Sequence, residues 1–143
     1  VGSEMCIRDR IICNLILGPT TASALSASSA PFKDVPVSNT FAGYITYCAQ
    51  EKIINGYSDG TFRPNQNITR AQAMAIFNRV LGRAPDKDHM LPGMTTWPDN
   101  MDRSAWYYAD VQEATNSHDF VTKDRVYESW TDLNRAPDWS RYE

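Results

Sequence analysis

Arg70 is the residue of this 143-residue chain best placed to do chemistry. It follows Ile68 and Thr69 at the start of an apolar-periodic stretch, so a helix opening here puts its guanidinium at the first helical position. Free backbone amides and the positive end of the helix dipole favour an anion there, and a guanidinium fork takes a carboxylate through two hydrogen bonds. Two readings are open: a ligand carboxylate, or a structural ion pair with Asp34 or Asp59. Upstream, Ser58-Asp59-Gly60 reads as a turn that either shapes the adjacent loop or contacts a ligand. Tyr44, Tyr57 and Phe62 offer faces for stacking, or fill a core.

Other chemistries find less support. His89 and His118 have no second ligand at metal spacing, so no metal is expected, and no cofactor. Cys6, Cys13 and Cys48 form neither a zinc pattern nor an even-numbered disulfide framework. Asp99, Asp102, Asp110 and Glu113 could be imagined as a carboxylate pair for glycoside hydrolysis, but acids on the wet face of an amphipathic helix explain them more simply. Ser58-Asp59-Gly60 falls short of a calcium loop. A net charge of −3, with 22% charged and 42% hydrophobic residues, argues against a general nucleic-acid surface. Arg63, Arg70, Arg79, Arg83 and Lys87 face only Asp86 in their window, which suits either an anionic partner or a solvated helix face.

The elements positioning these residues follow from periodicity. Phe41, Tyr44, Ile45, Cys48 and Ala49 mark one helical face between Phe41 and Ile54, with Ser38, Asn39 or Thr40 as N-cap and Asn55-Gly56 as the stop. Tyr57 to Gln66 is turn-rich, with Phe62 as its buried anchor. Thr69 and Gln72 have the form of a capping box that opens a second helix, striped by Ala73, Ile76, Phe77, Val80 and Leu81 and ended by Gly82.

Residues 84–96 lack periodicity and read as a linker. Beyond them the opening pattern returns: Trp97-Pro98-Asp99 echoes Phe32-Lys33-Asp34, and the run from Ser104 to Ala114 echoes the first helix. An offset of 65 aligns Asp34 with Asp99; one inserted residue then aligns Ile45 with Val111 and Cys48 with Ala114. The echo breaks off near Phe120, and the aromatic, charged tail with Trp130 and Trp139 has no clear pattern. At the other end, Glu4 to Asp9 resembles the in-frame translation of a sequencing-library adapter, so residues 1–10 are expected to be foreign to the natural protein. Residues 11–30 read as a truncated signal peptide, with the apolar run Ile11 to Leu17 weakened by Asn14 and a cleavage signal at Ala22-Ser23-Ala24, or as a disordered leader. No apolar run approaches the length of a transmembrane segment.

The order Phe-x-Asp-Val-Pro, Ala-x-Tyr-Ile, Ile-Ile-Asn-Gly-Tyr-x-Asp-Gly-Thr-Phe-x-Pro and Ile-Thr-Arg-Ala, carried by Phe32 to about Arg83, resembles the S-layer homology (SLH) module of bacterial surface proteins. The resemblance implies a mainly α protein: helix-loop-helix modules, usually three in a pseudo-threefold arrangement. One module is expected over residues 31–83 and a degenerate, partial one over 97–143. It further implies an extracellular, non-enzymatic cell-wall or S-layer protein that binds secondary cell-wall polysaccharide, often with pyruvylated sugars, and that can associate with other SLH modules. Carried over residue by residue, the ligand set is Arg70, Asp59, Gly60, Thr69, Phe41 and Trp106, with a ketal carboxylate on Arg70. Phe41 lies where the family usually has tryptophan and lacks the indole donor; Trp106 keeps it in the second copy, and Gln72 replaces the usual glutamate. Two rivals are an anchoring fragment of a wall-active hydrolase, recognisable if the gene continues into a catalytic region, and a protein–protein interaction module.

Overall fold

The computed structural model describes residues 5–124 and 126–134; the tail with Trp139 lies outside them. The chain divides after Thr69 into two compact units. That division falls inside the stretch expected to form one module, residues 31–83.

The first unit holds α1 (Met5–Leu17), α2 (Pro19–Ser23) and α3 (Ala42–Gln50). α1 runs straight across the boundary expected at residue 10 and packs on both α2 and α3. Its buried side is Met5, Cys6, Asp9, Ile12 and Cys13, while Ile11, Leu15 and Ile16 face solvent. The Cys13 and Cys48 Sγ atoms lie 3.7 Å apart between α1 and α3. Ala22, of the expected cleavage signal, is fully buried. No helix among the described residues is long and apolar enough to cross a membrane.

α3 is shorter than its periodicity suggested. Phe41 is its N-cap, and Asn39 acts two residues earlier, its Oδ1 accepting the Phe41 amide at 2.8 Å. At the other end Lys52, with φ 57°, takes the left-handed position expected of Gly56. Ile53 N donates to Cys48 O and Lys52 N to Ala49 O, the paired bonds of a Schellman motif. Gly56, also left-handed at φ 67°, serves the following loop instead, against the Phe32 ring. Phe62 is 2% exposed and stacks on Phe32 at 5.4 Å, the anchor expected of it.

The second unit holds α4 (Arg70–Val80), α5 (Tyr108–Thr115) and the antiparallel hairpin of β1 (His118–Lys123) and β2 (Tyr127–Leu133). α4 packs on α5, and Asn78 ties them: its Nδ2 donates to the Asp110 carbonyl at 3.0 Å and carboxylate at 3.1 Å. The buried face of α4 is Ala75, Ile76 and Asn78, so the predicted stripe is rotated. Phe77 and Leu81 are exposed. Gly82 ends the helix as expected, with φ 68° and the same Schellman pair, Arg83 N to Asn78 O and Gly82 N to Arg79 O.

The hairpin was not anticipated; it adds a two-stranded sheet to the helices of the mainly α expectation. It pairs Phe120 with Trp130 and Thr122 with Glu128, with a bulge between Asp119 and Phe120. The stretch expected to be a linker is part of this unit: Glu128 N donates to Ala84 O, Trp130 N to His89 O, and Gln112 Nε2 to Thr95 O.

The backbone repeats itself between the two units. Val35 N to Phe32 O recurs as Asn100 N to Trp97 O, shifted by the 65 residues read from the sequence. After one inserted residue, Asn39 N to Pro36 O, Ala42 N to Asn39 O and Ile45 N to Phe41 O recur as Ala105 N to Asp102 O, Tyr108 N to Ala105 O and Val111 N to Tyr107 O. The two N-caps match in backbone angle: φ −100°, ψ 2° at Phe41 and φ −95°, ψ −4° at Tyr107.

Candidate functional site

In the first unit the candidate residues lie around the loop after α3. Asp34 organises it, accepting the amides of Phe62 at 2.8 Å and Arg63 at 2.7 Å. Arg63 is left-handed at φ 61°, and its guanidinium lies 4.0 Å from the Tyr57 ring centroid and 3.2 Å from Asp59. Asp59 spends its carboxylate locally: Oδ1 accepts the Thr61 amide at 2.9 Å and hydroxyl at 2.6 Å. Those bonds, helped by Arg63, hold its carboxyl at about 2. Gly60, at φ 81°, lies under the Lys33 side chain, whose Nζ donates to Asp59 O at 2.8 Å. Phe41 is half-buried against Tyr44 at 6.4 Å. Asp59 and Gly60 thus form a tight turn whose outer edge stays open.

In the second unit, Arg70 opens α4 directly after Thr69, at the first helical position. Its Nη1 donates to both oxygens of Asp99, at 2.7 and 2.6 Å, and its guanidinium lies over the Trp97 ring at 5.2 Å. Asp99 is held below the usual carboxylate range, chiefly by the Arg70 hydrogen bond. The indole is fixed in turn by Trp97 Nε1 donating to Thr115 Oγ1 at 2.9 Å. Arg70 therefore already grips a carboxylate over an aromatic face. The partner is neither of the two candidates read from sequence, since Asp34 caps amides and Asp59 holds its own turn.

Both members of this pair are well exposed, 40% and 62% for the side chains. Solvent screens such a pair and leaves it weak, so a competing carboxylate can displace Asp99 at small cost. Two other bases of the basic window are also engaged, Arg63 by Asp59 and Arg83 by Glu113 and Glu128.

Trp106 is 63% exposed, edge-on to Tyr107 at 5.4 Å. With Tyr127 it borders an open cleft of about 520 Å³ whose polar lining includes Asp86, Lys87, Asp88 and Ser104. An exposed indole and phenol beside polar groups suit the apolar face and hydroxyls of a sugar ring. Asp86 and Tyr127 were not singled out in the sequence, because a loop and the hairpin bring them there. Glu113 likewise departs from expectation: it is 4% exposed, not on a wet face. His118, expected to lack a second ligand, lies beside it.

Residues 31–74 match the family model of the S-layer homology domain. Among relatives, the chain is 37% identical over 71 residues to the cellulosome-anchoring protein of Acetivibrio thermocellus, covering 50% of this chain and 16% of that protein. It is 32% identical over 71 residues to cell surface glycoprotein 1 of the same organism, covering 50% of this chain and 3% of that protein. It is 35% identical over 66 residues to S-layer protein EA1 of Bacillus anthracis, covering 46% and 8%. The chain thus spans a small fraction of the length of these relatives. It matches no solved structure.

Proposed function

We propose that this chain is a non-catalytic, wall-anchoring segment of an exported bacterial surface protein, binding secondary cell-wall polysaccharide through pyruvylated sugars. The observation that carries the reading is the match of residues 31–74 to the SLH family model, a stretch that ends in the helix start bearing Arg70. The names of the relatives, an anchoring protein and two surface proteins, support it. The recurring hydrogen bonds around Phe41 and Tyr107 support a second, degenerate module from Trp97 onward. Further SLH modules complete the pseudo-threefold arrangement, docking on the exposed apolar pair Phe77 and Leu81.

In this reading the ketal carboxylate of the sugar takes the place of Asp99 on Arg70, stacked on Trp97, while Trp106 holds a neighbouring ring. Asp59, Gly60, Thr69 and Phe41 contribute through the loop and the helix starts. The test is retention of the chain on purified wall polysaccharide before and after removal of its pyruvyl groups. Depyruvylation and Arg70→Ala should each reduce retention about tenfold or more, the worth of a charge-assisted bidentate contact. Asp99→Asn should act in the opposite direction, because it frees Arg70. Retention unchanged by both depyruvylation and Arg70→Ala would sink the carboxylate pocket.

A further inference from the structure

We propose that Glu113, His118 and Glu128 form a divalent-cation site, suited to zinc, that Arg83 occupies in the absence of metal. The three side chains come from the end of α5, the start of β1 and the start of β2, and they are 0%, 1% and 5% exposed. Each offers one ligand atom, and these lie within 4.8 Å of one another. His118 Nε2 is 3.1 Å from Glu113 Oε1 and 3.9 Å from Glu128 Oε2. Tetrahedral zinc with bonds of about 2.0–2.1 Å sets its ligand atoms about 3.4 Å apart, so these separations straddle the required value.

The surroundings are those of a ligand set. His118 Nδ1 lies 2.7 Å from the Asn116 carbonyl and donates to it, leaving the Nε2 lone pair aimed into the cluster. Trp130 Nε1 donates to Glu113 Oε2 at 3.0 Å, and the Trp130 ring stacks on His118 at 3.9 Å. Outer bonds of this kind fix the tautomer and orientation of metal ligands. Glu113 Oε1, which the Trp130 bond leaves open, is buried and faces Arg83 and His118 Nε2.

Arg83 marks the point where a cation belongs. It sits just past the Gly82 turn, ion-pairs with Glu113, donates through Nε to Glu128 at 2.8 Å, and brings Nη2 to 2.9 Å from His118 Nε2. Two buried carboxylates face one guanidinium there. A divalent ion balances both carboxylates. The Arg83 side chain is 29% exposed, so it can swing into water as the ion enters.

The experiment is a zinc titration of the tag-free full chain followed by the imidazole resonances of its two histidines. His89, held by Asp86, is the internal control, and a histidine readout is blind to zinc taken by Cys13 and Cys48. His118 is expected to shift saturably at one equivalent while His89 does not. Arg83→Met should bind about tenfold more tightly, having lost the competing cation, and its melting temperature should rise with zinc. Glu128→Gln should bind at least about tenfold more weakly. A His118 signal unmoved in both the natural chain and Arg83→Met overturns the proposal, as does one that moves only together with His89.

Discussion

At the scale of single residues, the carboxylates sort by what they hold. Asp34 accepts two backbone amides from across the loop, whereas Asp59 closes a turn on its own neighbours and stands exposed. Removing Asp34 leaves the Phe62 and Arg63 amides without their acceptor beside the buried Phe62 ring. Asp34→Ala should therefore destabilise the chain by about 1–3 kcal/mol in urea unfolding. Asp59→Ala should cost well under that, yet under the proposed function it should weaken polysaccharide retention by loosening the turn. Equal losses of stability in the two variants would contradict this division. The repeat alignment already pairs Asp34 with Asp99, but not their different work. Asp99 meets a guanidinium instead of two amides, and a sequence offset does not specify the partner.

At the scale of elements, the same helix ending is built twice with different residues. Gly82 takes the left-handed position after α4 at φ 68°, and Lys52 takes it after α3 at φ 57°. A side chain in that region costs about 1–2 kcal/mol, against which glycine loses about 0.5–1 kcal/mol more backbone entropy on folding. Lys52→Gly should thus raise stability by up to about 1 kcal/mol, while Gly82→Ala, with open space around it, should lower it by about 1 kcal/mol through backbone strain alone. Chemical denaturation of both variants checks the opposite signs; matching signs would refute the account. Gly82 was legible because glycine advertises that backbone. Lys52 was not, since the nearby Asn55-Gly56 carried the stronger signal. The start of α4 at Arg70, the Phe62 anchor and the repeat could be read for the same reason, resting on local spacing, whereas α3 is capped at Phe41 and not at the Ser38, Asn39 or Thr40 that spacing suggested. The exposed Phe77 and Leu81 could not, because the buried face of α4 is set by α5 through Asn78. The hairpin escaped for a related reason: Glu128, a buried charge, alternates with Trp130 on its inner face and hides the apolar period.

At the scale of the whole molecule, stability should follow pH through two sets of carboxylates with opposite signs. Asp9 is fully buried with Oδ2 lacking a hydrogen bond. Burial pushes its carboxyl up to about 6, outweighing the Arg8 guanidinium that donates to it at 2.7 Å. Burial also raises Glu113, against the pull of Trp130, His118 and Arg83. Where the folded state holds its protons more tightly than the unfolded chain, raising the pH removes stability, so Asp9 should cost stability progressively from about pH 4 to about pH 6. Asp59, Asp86, Asp99 and Asp102 are held low by hydrogen bonds and behave the other way. For them the unfolded chain binds protons more readily, so stability is lost as pH falls below the ordinary carboxylate range. Asp59, Asp99 and Asp102 are exposed and Asp86 is half-buried at the surface, so their share is small and screened by salt. Melting temperature should therefore peak in mild acid near pH 4 and decline toward neutrality. Asp9→Asn should flatten the decline between pH 4 and 6 without altering the loss on further acidification. Circular dichroism melts across pH 3–8 decide the matter. A melting temperature that climbs steadily from pH 4 to 6 would show that Asp9 is ionised throughout and that Arg8, not burial, governs it.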